Sequence, residues 1–277
     1  MPAPAPFRPH RSPGFGPGVR RFGRVNWLGL WTLSQREARR FMAVWTQTIA
    51  APLITAGLFL TVFSLALGPI RGEVLGVPFV QFLAPGILMM TVIQNAFANT
   101  SSSIVIAKVQ GNIVDTLMPP LSPAEIVAGY MAGGVLRGLV VAAALALAIG
   151  PVLGIGVAHP LWALAFVTVG AAFLSALGIL AAIFSDKFDQ MAAITNFVVT
   201  PLAFLSGTFY SISALPPGLE AASRLNPVFY LIDGMRFAMI GASDAPPALG
   251  LAVATASTAA ACALAWHWMR RGYRMKP

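Results

Sequence analysis

The residues able to do chemistry in this sequence are few and widely scattered. The nine acids are Glu37, Glu73, Asp115, Glu125, Asp186, Asp189, Glu220, Asp233 and Asp244, and each falls at the end of an apolar run or between two runs. His10, His159 and His267 lack metal-ligand spacing, so no metal site is expected. Cys262 is the single cysteine and reads as inert packing. No Ser–His–Asp, paired-carboxylate or Cys–His arrangement is present, so no catalytic residue is assigned. There is no GxxxxGK[ST] phosphate loop either, so the chain does not hydrolyse ATP by that route.

The remaining polar side chains sit inside apolar runs, where they do chemistry of another kind. Arg137 is the one charge well within such a run. At ~1.5 Å per residue it lies ~21 Å along a helix begun at Pro123, with a side chain that tilts back toward that start. It is an anchor or a structural partner, or it gates or binds an anionic headgroup. Thr91, Asn95, Asn99 and Ser103 recur every fourth residue and form one polar stripe, and Thr195, Asn196 and Thr200 form a second. Polar groups in lipid must find partners, so each stripe either joins helices or lines a wet path. Asp233 and Arg236, at i and i+3, read as a local ion pair or as part of a lid.

Those residues require particular elements to hold them. Of 277 residues, 57% are hydrophobic and 10% charged, with a mean hydropathy of +0.76. A soluble domain carries about 25% charged residues, and apolar runs of about 18 or more read as membrane spans. Six are expected, over 43–67, 79–107, 123–152, 161–184, 191–209 and 247–268.

The net charge of +9 is concentrated at the two ends. Arg8, Arg11, Arg20, Arg21, Arg24, Arg36, Arg39 and Arg40 precede the first span, and Arg270, Arg271, Arg274 and Lys276 follow the last. That asymmetry places both termini in the cytoplasm. No nucleic-acid motif accompanies the charge. Residues 1–25, rich in Pro, Gly and Arg, read as a disordered basic tail without a secretory signal's apolar core. Residues 26–42 read as a helix lying on the membrane surface, with Asn26 as cap, Trp27 and Trp31 at headgroup level and a basic end.

The connections carry their own signals. Ser122-Pro123-Ala124-Glu125 is a capping box with proline at the first helical position. Upstream, Asn112 is a candidate cap for a brief helix through Met118 that Pro119 and Pro120 end. A capped and prolined helix between two spans suits the delivery of a push, or it is a structural elbow. Between the fifth and sixth spans, residues 213–241 read as a helical hairpin dipped into the outer membrane edge. Its second helix starts at Asn226-Pro227 and stops at Gly241. That helix is too short to span and has re-entrant or interfacial length. Gly129, Gly133, Gly134 and Gly138 give two overlapping GxxxG spacings for close helix packing, within a subunit in preference to a seam between two copies.

Three stretches resemble the type-2 ABC exporter permease family, particularly the bacterial branch that includes the nodulation-factor export permease. They are GNIVDTLMPPLSPAEIVAGYMAGGVLRG, AAIFSDKFDQMAAITNFVVTPLAFLSGTFYSISALPPGLEAASRLNP and VFYLIDGMRFAMIG, covering most of 111–241. The resemblance implies an all-α integral membrane protein with six transmembrane helices, an N-terminal interfacial helix and a re-entrant hairpin, in one permease domain over 43–277. It implies a dimer seated on separate ABC ATPase subunits, which bind the ATP and magnesium, this chain holding no cofactor. The helix 112–118 then corresponds to the coupling helix, assigning ATPase contact to Ile113, Val114, Asp115, Thr116, Leu117 and Met118. The loop 185–190 corresponds to a second contact, with Asp186, Lys187 and Asp189. In this family the second and fifth spans line the pathway, which favours a lining role for both stripes. The expected function is export of an amphipathic, lipid-linked or drug-like substrate across a bacterial inner membrane. The alternatives are an ion-coupled secondary transporter, disfavoured by the absence of acids within spans, and a non-transporting membrane scaffold.

Overall fold

The structure is a computed structural model describing residues 25–274; the basic tail expected over 1–25 lies almost wholly outside the described residues. The elements in order are α1 (Trp27–Ala43), α2 (Ala51–Arg71), β1 (Glu73–Val74), β2 (Val77–Pro78), α3 (Phe79–Val109), α4 (Ile113–Leu117), α5 (Pro123–Leu153) and α6 (Pro160–Phe184). There follow α7 (Phe188–Ile194), α8 (Thr200–Phe204), α9 (Pro217–Arg224), α10 (Pro227–Ile240) and α11 (Pro247–Arg271). π-helical turns at Thr46–Ala50 and Thr195–Val199 join α2 and α8 to what precedes them.

Five helical runs are long and apolar enough to cross a membrane: Thr46–Arg71, Phe79–Val109, Pro123–Leu153, Pro160–Phe184 and Pro247–Arg271. The fifth expected span, 191–209, is instead a shorter run of 7, 5 and 5 residues through α7, the π-turn and α8. It ends at Leu205 because the chain turns there, with Gly207 at φ 77°. The β-hairpin between α2 and α3 was not expected. It pairs Glu73 with Pro78 and Val74 with Val77 around Leu75 and Gly76, both at positive φ, as a tight primed turn requires.

The helix ends follow local chemistry. Ser122 accepts from Glu125 N and Glu125 Oε2 accepts from Ser122 N, completing the capping box of α5. Asn226 caps α10 through Val228 N, and Gly241 ends it in the left-handed region. Asn112 departs from expectation: it sits before α4 but makes no capping bond, and its amide donates to Gln110 Oε1 at 3.4 Å.

α3 and α6 form the buried centre, with α5, α10 and α11 packed around them. Lipid offers no hydrophobic drive between helices, so close approach depends on small residues. A Cβ added at Gly178 of α6 would stand 2.7 Å from Phe97 O of α3. The two GxxxG pairs serve different neighbours. Gly134 and Gly138 face Ser175 and Ala171 of α6, whereas Gly129 and Gly133 face Leu33 and Glu37 of α1.

Of the hairpin's two helices, α9 has no buried residue, whereas α10 is buried among α3, α6 and α11. Leu231 reaches Gly170, ten residues into α6 and so ~15 Å from its start. The reason is sequence content: Val228, Phe229, Leu231, Ile232, Met235, Ala238 and Met239 surround the helix with apolar side chains, and its one charged pair, Asp233 and Arg236, is itself buried.

Candidate functional site

The charged end of the bundle is organised by α1. Leu33, Glu37 and Phe41, at i, i+4 and i+8, are its buried side chains. Leu33 and Glu37 fit the glycine groove of α5, and Glu37 is fully buried. Its carboxylate accepts from Arg36 Nη2 at 3.2 Å, Arg40 Nε at 3.2 Å and Ser103 Oγ at 2.8 Å. At the start of α1, Asn26 N donates to Glu125 Oε1 at 2.6 Å and Asn26 Nδ2 to Pro120 O at 3.1 Å. The interfacial helix is thereby stapled to α5 and to the double-proline turn.

α4 projects from this assembly. Ile113 and Thr116 are buried, and Thr116 Oγ1 accepts from Arg36 Nη1 at 3.2 Å. Arg36 also donates to Tyr130 of α5 at 3.2 Å. Val114, Asp115, Leu117 and Met118 face outward, Met118 with 77% exposure. Three apolar side chains on one exposed turn, at an end ringed by arginines, make a compact contact face. A groove of about 340 Å³ lies between α1 and α4, bordered by Thr32, Asp115 and Pro119.

The second expected contact sits at the same end. Lys108, in the last turn of α3, donates to the carbonyls of Ala182, Ile183 and Ser185 and to Asp186 Oδ1 at 3.0 Å. One lysine thus ties the chain leading into α4 to the α6–α7 loop. That hydrogen bond and the lysine's charge, with Arg274 beside it, hold the Asp186 carboxyl below the usual range despite a small opposing cost of burial. Lys187 and Asp189 are exposed and make no such ties among the described residues.

The α3 stripe divides. Asn99 and Ser103 are buried under α1: Asn99 Oδ1 accepts from Arg40 Nη2 at 3.0 Å and Ser103 binds Glu37. Thr91 and Asn95 instead face a cavity of about 490 Å³ between α2, α3 and α8, which Thr200 also lines. Arg137 does not extend to the bundle's end; its Nη2 donates to Asn95 Oδ1 at 2.9 Å. Thr195 Oγ1 bonds back to Met191 O, and Asn196 is exposed on the bundle surface beside Phe197 and Val198.

Asp233 and Arg236 do more than pair locally. Their atoms meet at 3.3 Å with both side chains buried, and Arg236 Nη2 donates to Gly207 O at 2.8 Å while its guanidinium lies 3.9 Å from the Phe82 ring centre. Asp233 accepts from Asp244 N and Ala245 N, each at 2.9 Å. The pair closes the far end by holding three chain segments against α10.

Sequence reasoning passed over Glu37 and the Arg36–Tyr130–Thr116 link. The signal was available as an i, i+4, i+8 stripe of Leu33, Glu37 and Phe41 carrying a charge, opposite a glycine pair.

Five apolar spans around a glycine-packed centre, with an amphipathic helix stapled across one end, define a multi-pass membrane protein. Residues 29–240 match the family model described as ABC-2 type transporter, and the chain belongs to that family as a transmembrane transporter subunit. It is 37% identical over 251 residues to the inner membrane transport permease YadH of Escherichia coli K12, covering 89% of this chain and 96% of that protein. It is 27% identical over 228 residues to nodulation protein J of Rhizobium leguminosarum bv. trifolii, covering 79% and 83%, and 25% identical over 221 residues to that of Sinorhizobium fredii, covering 78% and 81%. It is accordingly a multi-pass protein of the inner membrane.

Proposed function

We propose that this chain is the membrane permease of an ATP-driven exporter, with ATP and magnesium bound and hydrolysed on a separate ABC ATPase. Both termini lie in the cytoplasm, the run Phe188–Phe204 completes a sixth crossing, and α9–α10 forms a re-entrant hairpin at the outer face. The observation that carries this reading is the exposure of Val114, Leu117 and Met118 on a helix wedged by Arg36 against α1 and α5. A rigid helix with an apolar tip transmits displacement where a flexible loop absorbs it. The Lys108 tie makes Asp186, Lys187 and Asp189 the flank of the same docking surface.

Two copies form the pathway. Asn196, about 12 Å along the run from Phe188 and exposed, needs a polar partner in the hydrocarbon layer, which a second subunit supplies. Thr91, Asn95 and Thr200 border the route taken by an amphipathic, lipid-linked or drug-like substrate. The deciding experiment is affinity purification from the native membrane. An ABC ATPase is expected to accompany the chain, and substrate export in vesicles is expected to stop without ATP. Export that persists without nucleotide and collapses with the ion gradient would sink the proposal.

A further inference from the structure

Tryptophan marks one end of the bundle far more than the other. Trp27, Trp31, Trp45, Trp266 and Trp268 lie at the end that carries α4, and of six tryptophans only Trp162 lies at the far end. Tryptophan belts ordinarily mark both interfaces of a membrane protein. The same end holds cations that the fold leaves unused. Arg36 and Arg40 share Glu37, and Lys108 and Arg274 share Asp186. Arg39, Lys187, Arg270 and Arg271 are exposed and, among the described residues, meet no carboxylate within ion-pair distance.

Two of these arginines and one tryptophan share the last turns of α11. Arg270 stands over Trp266, its guanidinium carbon 5.4 Å from the ring centre, and Arg271 follows it. Two residues along a helix turn through about 200°, so Trp266 and Trp268 take opposite sides. Trp268 packs edge-on against Phe184 of α6 at 4.7 Å, and the turn after α11 goes the same way, with Arg274 Nη1 donating to Phe184 O at 3.0 Å. Trp266 is left on the open side. Ala259 and Ala263, on that side too, are exposed and leave the surface below it unobstructed.

Depth decides what reaches this patch. Trp266 lies ~8 Å short of the end of its span at Arg271, whereas α4 projects beyond the spans. A protein approaching from water meets α4, and lipid meets the flank of α11. The amphipathic indole suits headgroup level, and a guanidinium takes a phosphate through paired hydrogen bonds. Two arginines without acids favour a headgroup of net negative charge over one whose own ammonium opposes them. We propose that Trp266, Arg270 and Arg271 form a selective seat for an anionic phospholipid of the surrounding leaflet. The seat requires only a membrane-embedded chain, so it is independent of the exporter reading.

The test follows Trp266 fluorescence in a full chain whose other five tryptophans are replaced by phenylalanine, in vesicles containing lipid brominated in its acyl chains. Brominated phosphatidylglycerol is expected to occupy the seat at least about fivefold more favourably than brominated phosphatidylcholine, the effect of one arginine near a membrane surface. Arg270→Gln with Arg271→Gln is expected to remove that preference, Arg270→Lys with Arg271→Lys to keep it, and concentrated salt to weaken it. Equal quenching by the two lipids overturns the proposal. So does a preference that survives both glutamines, since it would then come from charges elsewhere on the chain. If the single-tryptophan chain does not fold, the native chain is compared with its Arg270→Gln, Arg271→Gln variant, and an unchanged preference between them is equally fatal.

Discussion

Glu37 of the surface helix stands against Gly133 of a membrane span so closely that a Cβ on the glycine would lie 2.4 Å from the Glu37 Cβ. The charge at the tip of that side chain collects Arg36, Arg40 and Ser103 around itself, so the glycine is what admits the whole polar cluster. Backbone against side chain at this distance leaves no room for a methyl group.

Gly133→Ala is therefore expected to lift α1 from its groove and to lower stability by about 1–3 kcal/mol through over-packing. Thermal denaturation in detergent measures this. Gly57→Ala provides the comparison, since a Cβ there meets nothing within 4 Å, and it is expected to leave the midpoint unchanged or slightly raised. Equal midpoints for the two variants would contradict the docking geometry.

Asp115→Arg and Met118→Asp alter the outward face of α4 without touching buried Ile113 or Thr116. Both variants are expected to insert normally, keep the native melting midpoint and lose most of the co-purifying ATPase. Unaltered ATPase recovery together with unaltered export would remove α4 from the docking role.

Arg236→Met leaves Asp233 as an uncompensated buried charge and is expected to cost about 3–5 kcal/mol, as breaking a buried pair does. Asp233→Asn in the same chain is expected to recover part of that loss, because only Asp244, whose Oδ2 lies 3.9 Å from the native guanidinium, is then stranded. A double-mutant cycle on melting midpoints checks it, and additive losses would show that the two residues act independently.

The Lys108–Asp186 link has a defined acid dependence. The folded carboxyl titrates below its ordinary value, so its contribution is complete above the usual carboxylate pKa of about 3.9 and is lost as pH falls through the lower, folded value. Hydrogen exchange across residues 184–187 is expected to follow only its intrinsic pH dependence from neutrality to about pH 5. Extra exposure should then appear in more acidic solution. Asp186→Asn should abolish that acid-induced rise, and its persistence would mean another group holds the loop. The pair is exposed at Asp186, so its contribution to global stability is small.

Much of the fold was legible because lipid makes the sequence speak plainly. Runs of apolar residues, the Ser122–Glu125 box and the Asn226 to Gly241 limits of α10 depend on neighbours in sequence and appear where expected. The run after Phe188 was harder to read, since hydropathy continues past Leu205 while the backbone turns there. The depth of α10 was likewise hidden, because its length suits a surface or a dip into the membrane, and the partners that bury Asp233 and Arg236 lie far along the chain. At the site, contact was expected of all six residues Ile113–Met118, yet Ile113 and Thr116 face inward onto neighbours far along the chain. The division of the Thr91–Ser103 stripe was hidden too, because its four members look alike in sequence and differ only in what faces them.

The sequence by itself determined that this is a membrane-embedded helical protein, where its helices begin, and which turn projects from the charged end. These are consequences of hydropathy, capping and proline, which act within a few residues. Only the tertiary structure decided that Gly129 and Gly133 receive α1 while Gly134 and Gly138 receive α6, and that Arg137 meets Asn95. It alone decided that Arg236 binds the far end together through Gly207 and Phe82. Those pairings join residues far apart along the chain, and in hydrocarbon any small or polar side chain accepts several partners. Which partner it takes is settled by the packing of the whole bundle.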